Sequence, residues 1–114
     1  MKTLLALLPL ALGVATAASA QDLQRGHDQF ARWCAPCHAP LTEFHPQLAG
    51  TSALQKKYNG SVPAALEQRT DLPAAQLAFF IRHGVNAMPP FRKTEISDAD
   101  INAIAAYLAR NAPR

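Results

Sequence analysis

The chain has 114 residues, enough for one small domain and no more. Eleven Lys and Arg stand against eight Asp and Glu, a formal charge of +3 that is too small to point to nucleic-acid binding. No internal repeat or low-complexity segment interrupts it.

The first twenty residues read as a secretory signal peptide. Lys2 precedes an apolar run from Leu4 to Leu12, broken only by Pro9, and small residues lead to Ala18-Ser19-Ala20. A membrane anchor would need about 20 mainly apolar residues, roughly twice the strongly apolar part here. Cleavage after Ala20 is therefore expected, leaving residues 21–114 as the domain with no membrane span. Lys2 leaves with the peptide, so ten basic residues (11 − 1) face eight acidic ones in the mature chain.

A first helix is expected from Asp22, a plausible N-cap, towards Cys34, with Leu23, Phe30 and Trp33 as a modest apolar stripe. Domains this small often lean on a disulfide, a metal or a cofactor, and export makes a disulfide the default for two cysteines. The cysteines, however, stand in Trp33-Cys34-Ala35-Pro36-Cys37-His38. C-x-x-C-H is the attachment signature of c-type haem. On a helical turn, two cysteines three positions apart share one side and can each form a thioether to a porphyrin vinyl group. The adjacent His38 then offers its imidazole to the iron.

The motif has two other readings. Trp-Cys-x-Pro-Cys also resembles a thioredoxin-like dithiol, but that fold needs a buried strand before the tryptophan. The residues from Leu23 to Arg32 are polar and helix-spaced, and no β-branched run elsewhere supplies a sheet. Structural zinc usually takes a second C-x-x-C or H-x-H pair, which the sequence lacks.

Between Ser52 and Gln68, Asn59-Gly60 and Pro63 predict two short helical pieces rather than one long helix. The next helix is expected to be capped by Thr70 or Asp71, with Pro73 in its first turn and Gly84 at its end. Leu77, Phe80 and Ile81 mark its buried face. The loop after it, Gly84-Val85-Asn86-Ala87-Met88-Pro89-Pro90-Phe91, carries Met88 between a helix end and two stiffening prolines. Such a loop suits a thioether presented to iron better than core filler, so Met88 is expected as the sixth ligand, paired with His38. His83, near a helix C-terminus, reads as a group favoured there by the helix dipole. Its alternative role is to replace Met88 on the iron. The last helix opens with Ser97 and Asp100 in a capping-box spacing and continues with an Ile101, Ile104, Ala105, Leu108 stripe. Asn111 and Pro113 close it, and no strand is expected.

Taken in order, these segments resemble class I monohaem c-type cytochromes. Cys34-x-x-Cys37-His38 follows a helix; Pro46-Gln47-Leu48-Ala49-Gly50 matches the family's Pro-x-Leu-x-Gly segment. Met88-Pro89 and the last helix complete the pattern. The resemblance implies an all-α cytochrome c fold, with N- and C-terminal helices crossing and one covalent haem c between short helices and loops. Gly26 and Phe30 match the crossing positions, received by Tyr107 and Leu108. Pro46 matches the proline whose carbonyl accepts a hydrogen bond from the proximal histidine, which would fix the tautomer of His38. His45 stands where many members have glycine and reads as a surface residue. Lys56, Lys57, Tyr58 and Arg69 are candidates for contact with the haem propionates, or else a solvated face. Arg92-Lys93 would form a basic rim able to steer an acidic partner.

No general acid, base or nucleophile constellation is proposed by the sequence, so the chain is expected to be a periplasmic electron carrier rather than an enzyme. The segment from Arg82 to Phe91 resembles the methionine loops of cytochromes that serve periplasmic dehydrogenases and hydroxylases. That resemblance implies a flavin- or quinone-cofactor partner, with electrons passed on to the respiratory chain. The alternative is a haem enzyme or ligand sensor with an open or labile sixth site, against which the complete methionine loop argues. A purely structural subunit would leave C-x-x-C-H unexplained.

Overall fold

A computed structural model describes residues 18–113. The expected signal peptide lies outside the described residues except for its last three positions. Five α-helices follow in order: α1 (Ala20–Trp33), α2 (Ala35–His38), α3 (Ala49–Tyr58), α4 (Ala74–His83) and α5 (Asp98–Leu108). Short 3-10 turns at Leu66–Gln68 and Ala109–Asn111 complete the set. Among the described residues there is no strand, only an isolated pairing of Val85 with Met88. The all-α expectation holds.

The fold is organised by the crossing of α1 over α5. Gly26 allows it, because a Cβ there would stand 2.1 Å from the Ala103 carbonyl oxygen and 2.7 Å from the Tyr107 Cβ. Phe30, buried on the same face of α1, meets the Tyr107 ring at 5.9 Å between centroids, a separation at which aromatic pairs add to simple burial. Phe30, Ile81, Ile96, Ile101, Ile104, Tyr107 and Leu108 form one core, each large apolar side chain contributing roughly 1.5–3 kcal/mol through its removal from water. Trp33, Cys34, Met88 and Phe91 pack against that core from its edge.

Helix boundaries follow local chemistry, with two corrections. Ser19, not Asp22, caps α1: its Oγ accepts from the Asp22 N–H, and the Asp22 carboxylate accepts from the Ser19 N–H. A serine one residue before the helix can make this reciprocal box, whereas Asp22 already has helical geometry as the third residue. Ser19 belongs to the expected leader, so this cap exists only in the uncleaved chain. Neither Thr70 nor Asp71 caps α4; Pro73 occupies the N-cap position without a side-chain bond. The Asp71 carboxylate is instead held by Arg69 at 2.5 and 2.8 Å.

The remaining segments agree with the pattern. The stretch after the C-x-x-C-H segment gives two helical pieces, α3 and the turn at Leu66–Gln68, although α3 begins at Ala49, ahead of Ser52. Asn59 ends α3 in the left-handed region with φ 48°, a conformation asparagine tolerates. The Ser97–Asp100 capping box of α5 is formed, and Ile101, Ile104 and Leu108 are buried while Ala105 is partly so.

Candidate functional site

Cys34 closes α1, its N–H donating to the Phe30 carbonyl, and at the same time opens α2. Pro36 fits the first turn of α2 because no donor is required there. The Cys37 and His38 N–H groups both donate to the Cys34 carbonyl, at 3.0 and 2.8 Å. One tight turn thus carries both thiols and the imidazole. Both cysteines are free.

The N-terminus of α3 backs this turn. A Cβ on Gly50 would stand 2.4 Å from His38 Cε1, 2.6 Å from its Nδ1 and 2.8 Å from the Cys37 carbonyl oxygen. The buried Thr51 hydroxyl donates to the Ala39 carbonyl at 2.7 Å and reaches the Cys37 carbonyl at 3.3 Å. Burial lowers the His38 pKa, which favours the neutral imidazole that a metal requires.

One expected contact is not made. His38 Nδ1 is buried without a hydrogen-bond partner, so the bond to the Pro46 carbonyl is absent. The cause lies in the preceding loop, where Thr42 and His45 exchange backbone hydrogen bonds at 3.0 and 3.2 Å and His45 N–H also donates to Thr42 Oγ1. This turn closes on itself and leaves His45 and Pro46 exposed. Of the Pro46–Gly50 segment, Gly50 is the residue that meets His38.

Met88 sits on a closed loop. Gly84 ends α4 with φ 68° and ψ 176°, backbone that other residues avoid. Val85 and Met88 exchange backbone hydrogen bonds at 3.1 and 2.9 Å. Beyond the prolines, the Phe91 N–H returns to the Ile81 carbonyl at 2.7 Å. Met88 is partly buried, and the Phe91 ring meets Trp33 edge-on at 5.8 Å. That contact joins the methionine loop to the residue immediately before Cys34.

The charged candidates differ in their surroundings. Arg69 is only 6% exposed, lies 4.8 Å over the Tyr58 ring and is already bidentate to Asp71. Lys56 and Lys57 are exposed on α3. Arg92 pairs with Glu95 at 3.3 Å and Lys93 with Asp98 at 2.8 Å, so the basic rim is largely offset by neighbouring carboxylates. His83 is exposed, stacks on Phe79 and donates through Nδ1 to the Phe79 carbonyl at 2.8 Å, consistent with a role at the helix end.

Chemically, the arrangement suits thioether attachment better than its rivals. Burial pushes the Cys34 thiol up to about 12, with the nearby Cys37 adding to the shift. A redox-active dithiol depends on the opposite, a lowered thiol pKa. Among the described residues no group of three or more His, Cys, Asp or Glu gathers to hold a metal ion, which leaves the zinc reading without a ligand set. Two free thiols beside a desolvated imidazole fit a covalently attached haem.

Residues 21–108 match the family model described as cytochrome c oxidase, cbb3-type, subunit III. The chain belongs to this family. It is a class I c-type cytochrome domain, and the cofactor of such a domain is covalently bound haem c with its iron. Cytochrome domains of this kind are typically electron carriers that work outside the cytoplasm. No curated protein and no solved structure matches the chain. No helix among the described residues is long and apolar enough to cross a membrane.

Two residues of this cytochrome site were not singled out by the sequence. Thr51 follows a glycine in an ordinary helical context, and nothing local signals that its hydroxyl reaches back to the C-x-x-C-H turn. Arg82 stands in the quoted methionine segment, but its partners lie 9 to 16 residues away.

Proposed function

We propose that the chain is a periplasmic one-electron carrier. In this reading residues 1–20 direct export, and residues 21–114 form the mature cytochrome domain. Cys34 and Cys37 hold the haem, and His38 and Met88 ligate its iron. When bound, haem iron alternates between ferrous and ferric states and so stores one electron. The protein's part is to keep the neutral imidazole of His38 fixed by Gly50 and Thr51, and the Met88 thioether fixed by its closed loop. A His/Met pair would raise the reduction potential relative to two histidines and leave no open site.

The observation that carries this reading is the His38 imidazole, desolvated against Gly50 in the same turn as two free thiols. The donor is proposed to be a flavin- or quinone-cofactor dehydrogenase or hydroxylase of the periplasm, with electrons passed on to the respiratory chain. The support is the Arg82–Phe91 segment and its likeness to methionine loops of cytochromes with such partners.

The test is to mature the protein with haem and expose the reduced form to carbon monoxide while recording a reversible one-electron redox titration. A carrier gives a single one-electron wave and an unchanged reduced spectrum under carbon monoxide. Rapid carbon monoxide binding would instead favour an enzyme or sensor with an open sixth site.

A further inference from the structure

Arg82 is the most heavily committed cation in the described chain. It sits in the last turn of α4, and its side chain is 19% exposed. One terminal nitrogen donates to the Phe91 carbonyl at 3.1 Å and to the Ile96 carbonyl at 2.8 Å. The other donates to Asp98 at 2.7 Å. These acceptors bracket the turn from Phe91 to Ile96, which is closed internally by Glu95 and Ile96 N–H groups donating to the Arg92 carbonyl.

This turn begins three residues after Met88, and two of those steps are prolines whose φ angles are fixed. The place of the Phe91 carbonyl is therefore transmitted stiffly to Met88. At its other end, the loop leaves α4 through Gly84, two residues after Arg82. The loop departs from and returns to the same helical turn, and Arg82, with the Ile81 carbonyl, is what it returns to.

We infer that Arg82 is a positioning residue for the sixth ligand, its guanidinium fastening the Phe91–Ile96 turn so that Met88 stays within reach of the iron. The inference rests on the reading that Met88 is that ligand. A guanidinium is suited to the task because one rigid fork serves several oxygens at once. Hydrogen bonds from charged donors are stronger than neutral ones. Loss of the fork leaves both carbonyls to find other donors and raises the population in which Met88 is detached.

That population has a direct readout in the ferric haem-loaded protein. Imidazole added from outside can take the sixth position only when Met88 is off, so its apparent affinity scales with the detached fraction. Arg82→Gln is expected to raise imidazole affinity about tenfold. Arg82→Lys, which can reach one oxygen but lacks the fork, should fall between it and the parent. Asp98→Asn, which keeps both carbonyl bonds, should stay within about twofold. A lowered melting temperature with unchanged imidazole affinity in both Arg82 variants would overturn the inference and make Arg82 purely structural. Should Arg82→Gln fail to yield folded protein, Arg82→Lys alone decides by the same affinity measurement. A parent protein that lacks the far-red sulfur-to-iron band would instead remove the Met88 reading, and the inference with it.

Discussion

The histidine and methionine segments are fastened in different ways. His38 stands in a turn of helix, backed directly by a second helix through Gly50 and Thr51, and its hydrogen bonds are neutral and largely backbone-based. Met88 stands on a loop that no helix backs in this manner. It is fixed at its ends, by the unusual backbone of Gly84 and by the return of Phe91 to Ile81 and Arg82. The first arrangement is made within a short stretch of sequence, from Cys34 to Thr51. The second depends on charges and carbonyls spread from α4 to the start of α5. In a cytochrome this difference puts the locally made arrangement at the C-x-x-C-H turn and the one that depends on distant partners at the methionine loop.

The comparison can be broken most forcefully at its two glycines. Gly84→Ala combines backbone that is almost exclusive to glycine with a Cβ 2.4 Å from the Met88 carbonyl oxygen, and should cost about 2–6 kcal/mol. Chemical denaturation should register that loss, and any surviving protein should have a weakened far-red band. Gly50→Ala brings a Cβ against the His38 ring and should cost about 1–3 kcal/mol, with a lower yield of haem-loaded protein on maturation. Equal, small effects from both substitutions would mean that neither segment is held as described.

Thr51→Val sharpens the histidine half of the comparison. It keeps the shape of the side chain but leaves the Ala39 and Cys37 carbonyls without the hydroxyl donor, at a cost of about 1–2 kcal/mol. The far-red band should persist in this variant, since the methionine loop is untouched. Its disappearance would show that the two segments are coupled more tightly than through Trp33 and Phe91. Ser97→Ala removes the cap of α5 and should lower stability by about 1 kcal/mol in a denaturant titration, without preference for either segment.

Acid should weaken the ion pairs around the methionine segment. The Asp98 carboxyl is held below its usual range by hydrogen bonds from Lys93 and then Arg82. Glu95 is lowered by the Arg92 N–H and then by its side chain. A carboxyl whose pKa is lower in the folded state stabilises the fold above its unfolded pKa, about 4, and loses that contribution as pH falls through the folded value. Thermal melts should therefore decline below about pH 4, and Asp98→Asn should flatten the decline. An identical acid profile in that variant would show that the α4–α5 ion pairs are irrelevant.

What the sequence made legible is what local pattern determines. The C-x-x-C-H turn and the Ser97 capping box rest on short motifs, and the crossing of Gly26 and Phe30 with Tyr107 is implied by the resemblance to class I cytochromes. What it concealed depended on competition among groups. Asp71 is a fair cap by itself, but Arg69 two residues away claims its carboxylate. Pro46 lies in the right motif, yet the Thr42–His45 turn leaves it exposed and His38 Nδ1 unpartnered. Arg92 and Lys93 read as a free basic rim until folding brings Glu95 and Asp98 against them. Thr51 and Arg82 gain their roles only through acceptors distant in sequence.

The most direct test of the central claim, that His38 and Met88 together ligate the iron, is the oxidised absorption spectrum of the haem-loaded protein beside that of Met88→Ala. The account predicts a low-spin spectrum with the far-red sulfur-to-iron band in the parent, and loss of that band in Met88→Ala with the attached haem retained. A parent spectrum that is high-spin, or a band that survives Met88→Ala, would contradict it.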